Sequence, residues 1–229
     1  MSTHSHRGRF ITFEGLDGCG KSTQLGKLAA MLRSEGLPVV VTREPGGTPT
    51  AEKIRQLLLD TGTAELSPLS ELALMFASRA QHIKEVIRPA LAEGKVVLCD
   101  RFTDSTEAYQ GGGRQLGSDV VLRLHQVLCR GLWPDLTILM DSDVSASVER
   151  ARRRNKAAEP GHDENRFEKE SSAFFHRVHE KFLEIARREP QRVVLIDARP
   201  PIEVVHAEIV QVVKERLMRG STVADGQAL

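Results

Sequence analysis

The run Gly15-Leu16-Asp17-Gly18-Cys19-Gly20-Lys21-Ser22 fills every position of the pattern G-x-x-x-x-G-K-[ST]. These residue types together solve one physical problem, the holding of a polyphosphate. The glycines let the backbone curl so that successive N–H groups point inward. The lysine reaches the outer phosphates, and the Ser22 hydroxyl can bind Mg²⁺. The pattern carries meaning only between a strand and a helix, and that context is present. Residues 10–13 (Phe-Ile-Thr-Phe) form an apolar run of strand length. Residues 21–36 set Leu25, Leu28, Ala29 and Leu32 on one helical face. The helix N-terminus then also faces the anion. The expected nucleotide-binding set is Gly15, Leu16, Asp17, Gly18, Cys19, Gly20, Lys21, Ser22 and Thr23. Cys19, at a helix N-terminus beside Lys21, is either a thiol made reactive by those neighbours or simply a small loop residue.

Motors, switches and small-molecule kinases share such a loop, so the remainder of the chain must choose among them. A length of 229 residues suits one α/β domain with an excursion, and 40% hydrophobic residues suffice for a core. Thirty-two basic against 31 acidic residues argue against a nucleic-acid coat or an anionic-membrane anchor. No 18-residue apolar run is present, and the polar first nine residues do not read as a signal peptide. Cys19, Cys99 and Cys129 are widely spaced without a C-x-x-C, which suits a reducing cytoplasm rather than a disulfide framework or zinc site. His176 and His179 share a helix face and are expected to be solvated.

Strands alternate with helices along the chain. A strand is expected over 37–42, ending in the polar loop 43–48, followed by a helix over 50–59. Ser67-Pro68 reads as a helix cap and first-turn proline opening a long helix towards Gly94, with a kink at Pro89. Apolar runs at 96–99, 136–140 and 193–196 end on Asp100, Asp141 and Asp197. Continuous apolar strands separated by helices predict a five-stranded parallel sheet covered on both faces. Ligands then bind beyond the carboxyl ends of the strands. The expected organisation is a flexible segment 1–9, a single domain 10–218 and a flexible tail 219–229. Within the domain, Arg150, Arg152, Arg153, Arg154 and Arg166 surround a polar stretch at about 150–166. Beside a phosphate loop, such a segment reads as a lid whose arginines stabilise transferring charge and exclude water. Alone, it would read as a solvated charged loop.

Four further motifs share the same rim: Phe-Glu-Gly-Leu-Asp at 13–17, Thr-Arg-Glu-Pro-Gly-Gly-Thr at 42–48, Asp100-Arg101-Phe102, and Tyr-Gln-Gly-Gly-Gly-Arg at 109–114. In this order they resemble the thymidylate kinases, over about residues 10–217. The resemblance implies a three-layer P-loop nucleoside monophosphate kinase fold with an Arg-rich lid. It also implies transfer of the ATP γ-phosphate to dTMP with Mg²⁺, in dTTP biosynthesis, by a homodimer. Position by position, it makes Asp100 a metal holder acting through water, together with Ser22. Arg101 is the grip on the acceptor phosphate, and Arg43 a second phosphate contact. Phe76 and Arg79, three apart on a helix, match the family's thymine platform, although Phe76 also fits a core stripe. Tyr109, the only tyrosine, matches the residue that excludes a ribose 2′-OH. Its polar, glycine-bounded surroundings argue against a core role. Ser105 and Gln110 are candidate base contacts, and Asp17 a contact to the sugar 3′-OH. No arginine lies within the phosphate loop. The resemblance is therefore to bacterial-type relatives that draw catalytic arginines from the lid, here Arg154 and Arg166, with Arg150 stacking on adenine.

The acceptor chemistry agrees with this reading. A phosphomonoester has a second pKa of about 6, so it is mostly ionised at neutral pH and needs no general base. Positioning, charge neutralisation and water exclusion then suffice. The rival is a deoxynucleoside kinase, whose hydroxyl acceptor would use Glu44 as base. A GTP switch would need N-K-x-D, and Asn155-Lys156-Ala157-Ala158 lacks the aspartate. A nucleic-acid-linked ATPase would need a basic stripe.

Overall fold

The structure, a computed structural model, describes residues 7–60, 62, 66–156 and 166–218. Five strands, β1 (Arg9–Glu14), β2 (Val39–Arg43), β3 (Val96–Asp100), β4 (Leu136–Asp141) and β5 (Val193–Asp197), form one sheet in the order β2-β3-β1-β4-β5. Every pairing is parallel, as the apolar runs predict. Alternation along β1 divides the core. Ile11 and Phe13 face a layer containing α1 (Lys21–Ser34) and α9 (Ile202–Val213). Phe10 faces α3 (Pro68–His82), α4 (Arg88–Ala92) and α6 (Ser118–Leu128) on the opposite side. A third cluster joins β4 and β5 to α2 (Pro49–Leu59) and α8 (Ser172–Arg188). The sheet is thus the middle of three layers, and each face is closed by apolar side chains.

Local signals act as expected at several ends. Thr48 and Ser67 cap α2 and α3 through side-chain oxygens, each with proline just inside the helix. The break expected at Pro89 takes the form of a π-turn over Ile83–Ile87 between α3 and α4. Proline lacks an N–H, and a wider turn absorbs the lost bond without parting the helices.

Residues 7–9 are part of the fold rather than a flexible lead. Arg9 opens β1, and the Gly8 N–H donates to Leu91 O at 2.9 Å. The expected lid begins inside α7 (Val144–Lys156), and Arg166 opens a 3₁₀ turn over Arg166–Lys169. Residues 1–6, 157–165 and 219–229 lie outside the described residues. Among the described residues no helix is long and apolar enough to cross a membrane.

Candidate active site

β1 ends at Glu14 and the chain turns at once into the phosphate loop. Gly15 has φ 130°, and a Cβ there would lie 2.6 Å from Met140 O. Gly18 has φ 81°, and its Cβ would meet Ser147 O at 2.2 Å. Only glycine lets the loop curl this closely against β4 and α7. The α1 N-terminus has no side-chain cap, so its first amides remain available to an anion. Lys21 is buried and donates to the carbonyls of Gly15 (3.1 Å) and Leu16 (2.8 Å).

A cleft of about 430 Å³ opens over this loop. Asp17, Gly18, Gly20, Lys21, Ser22 and Thr23 form its floor, and Asp100 and Arg101 enter from the end of β3. Arg43, Glu44 and Arg55 contribute from the β2–α2 side, and Arg150 and Arg154 from α7. Arg55 is not among the sequence candidates, since a lone arginine on an amphipathic helix carries no motif. Arg43 also forms an exposed pair with Glu52 at 3.2 Å. Arg150 donates to Gly18 O at 2.8 Å, tying α7 to the loop.

Arg101 is the centre of the cleft's polar contacts. It adopts φ 72°, unusual for a side chain larger than glycine. Its guanidinium donates to Asp17 Oδ1 (2.8 Å), Ser105 Oγ (2.7 Å) and Tyr109 Oη (3.3 Å). Burial would raise the Asp17 carboxyl, but the charges of Arg101 and Lys21 outweigh it and hold the group well below the usual carboxylate range. Asp17 therefore stays ionised. Glu14 behaves oppositely. Burial and the nearby Asp104 charge push it up to about 8, against the pull of Ser105 and Arg101.

The metal expectation fits what is present. Ser22 Oγ donates to Asp100 Oδ2 at 2.8 Å, while Asp100 Oδ1 is buried with no hydrogen-bond partner. A hydroxyl and a carboxylate are hard oxygen donors suited to Mg²⁺, which keeps waters and substrate oxygens rather than an all-protein cage. No group of three His, Cys, Asp or Glu side chains is disposed to hold an ion among the described residues.

Behind the cleft lies a buried ionic cluster. Glu44 accepts from Arg79 Nε at 2.6 Å and pairs with His82 Nδ1 at 2.8 Å. Burial raises the Glu44 carboxyl, but Arg79 and His82 bring it below its ordinary value. Arg79 packs its guanidinium 5.0 Å from the ring centres of Phe76 and Phe102, and its Nη1 is buried without a partner.

Several expectations need correction. Tyr109 is a core residue. It packs edge-on against Phe167, Phe174 and Phe182, and only its hydroxyl reaches Asp17 and Arg101. Phe76 is wholly buried. Gln110 does not line the cleft; it donates to the buried carboxylate of Glu71 at 2.7 Å. Arg166 does not line the cleft either. It pairs with the same Glu71 at 2.7 Å and donates to Leu58 O at 2.5 Å. A fully buried carboxylate demands cations, and Glu71 takes both Arg166 and Arg114. Leu16 and Cys19 pack into core clusters, and Cys19 is 4% exposed, which supports the small-residue reading over the reactive one. His176 is exposed as expected, whereas His179 is half-buried and its Nε2 lies 2.7 Å from Asp141 Oδ1 at the end of β4.

The family profile of thymidylate kinase matches residues 13–209. A thymidylate kinase of Pelobacter propionicus is 51% identical over 211 residues, covering 92% of this chain and 96% of the relative. One from Pseudomonas putida strain W619 is 52% identical over 200 residues, 87% of this chain and 93% of the relative. The crystal structure of thymidylate kinase from Ehrlichia chaffeensis superposes with a TM-score of 0.73 at 35% identity, covering 91% of this chain and 99% of that one. With the phosphate loop, the parallel sheet and the motif order in agreement, the chain belongs to the thymidylate kinase family and is a phosphotransferase.

Proposed function

We propose that the chain transfers the γ-phosphoryl group of ATP to the phosphate of dTMP, giving dTDP for dTTP synthesis. The observation that carries the reading is the cation content of the cleft. Besides Lys21, which the donor phosphates require, Arg43, Arg55, Arg101, Arg150 and Arg154 border the same space. That is enough positive charge for a second anionic reactant. In this reading Lys21 turns from the loop carbonyls to the outer phosphates of ATP. Arg101 applies its planar fork to the acceptor phosphate. Asp17, ionised and fixed by Arg101, accepts from the sugar 3′-OH, while Arg79 offers Nη1 to a base carbonyl beside Phe76. Arg154 supplies charge from the lid side. Ser22 and, through water, Asp100 hold Mg²⁺, which when bound neutralises charge on the donor phosphates.

The deoxynucleoside-kinase rival loses support at Glu44. Both of its carboxylate oxygens are engaged and its proton affinity is reduced, the opposite of what a general base requires. The reading includes a cytoplasmic homodimer. It is supported by three free cysteines and by the exposed apolar side chains of Leu69 on α3 and Val127 and Leu128 on α6.

A coupled assay with ATP-Mg²⁺ tests the reading against dTMP, dUMP, thymidine, dCMP and AMP. The expected result is dTMP turnover at least tenfold above the others; preference for thymidine would establish the rival. Tyr109 gives a second test. Tyr109→Ala is expected to cost about 3–5 kcal/mol in denaturant unfolding, because three ring contacts vanish. It should also narrow the preference for dTMP over its ribose analogue. Tyr109→Phe keeps the packing and should hold both quantities near the parent's. Unchanged sugar preference in Tyr109→Ala would reject the exclusion role.

A further inference from the structure

Arg101 holds a left-handed backbone conformation that an arginine does not adopt unaided, so something must pin it. Both flanking peptide groups are tied to β1. The Arg101 N–H donates to Phe13 O at 3.0 Å, and the next N–H, that of Phe102, donates to Glu14 Oε1 at 2.7 Å. The other Glu14 oxygen takes the Ser105 hydroxyl, and Ser105 Oγ in turn accepts from Arg101 Nη1 at 2.7 Å. Glu14 is 0% exposed and is the last residue of β1, immediately before the phosphate loop. One buried carboxyl therefore fixes Arg101 twice, at its backbone and through Ser105 at its guanidinium.

We infer that Glu14 is the positioning residue for Arg101, joining the donor-phosphate loop to the group that grips the acceptor. Placed three residues apart, Glu14 and Asp17 hold Arg101 between them, Asp17 taking Nη2 and Glu14 acting through Ser105 on Nη1. The grip is thus registered to the strand that runs directly into the phosphate loop. The geometry needs an acceptor for the Phe102 N–H and a polar partner for Ser105. An ionised carboxylate, a neutral carboxyl or an amide can each provide both, whereas a hydrocarbon of similar size provides neither. Glu14 touches no cleft-lining space itself, so its effect must pass through Arg101. The inference rests on the reading that Arg101 binds the acceptor phosphate.

The test is calorimetric titration of the full chain with dTMP and, separately, with ATP, for the parent, Glu14→Leu and Glu14→Gln, and again with each change added to Arg101→Ala. Glu14→Leu is expected to weaken dTMP binding at least tenfold and ATP binding less than twofold. Glu14→Gln should stay within about threefold of the parent. With Arg101 already replaced, Glu14→Leu should change dTMP affinity by less than twofold. Were Glu14→Leu not to fold, Ser105→Ala cuts the same link with a smaller core change and should again weaken dTMP selectively. The inference is overturned by equal losses for both ligands, by the same loss with and without Arg101, or by unchanged dTMP affinity in Ser105→Ala and Glu14→Leu alike. A parent chain that binds no dTMP would instead remove the functional reading beneath it.

Discussion

Replacing Arg101 by alanine is expected to lower kcat/KM for dTDP formation by about 10³-fold or more, ~4 kcal/mol of transition-state stabilisation. ATP affinity should stay within about twofold. The asymmetry follows from position. Arg101 enters the cleft from the end of β3, whereas the proposed site for the donor phosphates is the loop between β1 and α1. Alanine also strips Asp17 of its 2.8 Å partner and Tyr109 Oη of its donor, so the acceptor's sugar contact loosens together with its phosphate contact. Lys21 still favours the charged form of Asp17, which keeps the loss from becoming a protonation effect. Arg101→Lys restores a point charge without the planar fork and should recover only part of the rate. Steady-state kinetics with both substrates varied, together with ATP titration, would check this. Turnover close to the parent's in Arg101→Ala would remove the assigned role.

What the sequence made legible, and what it hid, divides along a physical line. The strands and the phosphate loop were readable because a parallel strand buried on both faces must be continuously apolar, and because polyphosphate binding restricts residue type at each step. The segment from Thr103 to Gly113 was not. Its composition, rich in Ser, Thr and Gly, reads as a loop, yet it forms α5 (Thr103–Thr106) and a buried π-turn over Glu107–Gly113. The glycines serve close packing there rather than a turn. A Cβ on Gly113 would lie 2.5 Å from the Phe174 ring, and one on Gly112 would lie 2.8 Å from Lys181 Cβ. This close approach brings α8 phenylalanines onto Tyr109, which is why a tyrosine in polar surroundings is a core residue. Buried carboxylates were hidden for another reason. Glu71 and Asp104 look solvent-facing by type, and the arginines that make their burial tolerable lie far along the chain. The Arg166–Glu71 pair was hidden in the same way, since nothing near Arg166 in sequence announces Glu71.

Removing the Arg79 guanidinium is expected to produce a large loss of stability. In Arg79→Leu, Glu44 keeps its burial but loses the cation 2.6 Å away, and His82 alone is left to balance it. Leaving one member of a buried pair uncompensated costs about 3–5 kcal/mol. The pH dependence has a definite sign. In the parent, the Glu44 carboxyl lies below its ordinary value, so it contributes stability above that value and the contribution fades only as pH falls through the depressed pKa. Without Arg79, burial dominates and the carboxyl moves above its ordinary value. Its contribution then becomes a penalty near neutrality that is relieved on protonation as pH falls. Urea unfolding of parent and variant at pH 7.5 and 5.5 should therefore show a smaller deficit at the lower pH; equal deficits would exclude the buried carboxylate as the cause. Pairing Arg79→Leu with Glu44→Leu should recover part of the lost stability, since two apolar groups replace the Arg79–Glu44 pair, while the buried His82 Nδ1 loses its 2.8 Å partner. Acceptor binding should not recover with it, because the Nη1 donor, buried and unpaired in the parent, is still missing. Stability regained while the KM for dTMP stays high would support the proposed base contact of Arg79 as separate from its part in holding the fold.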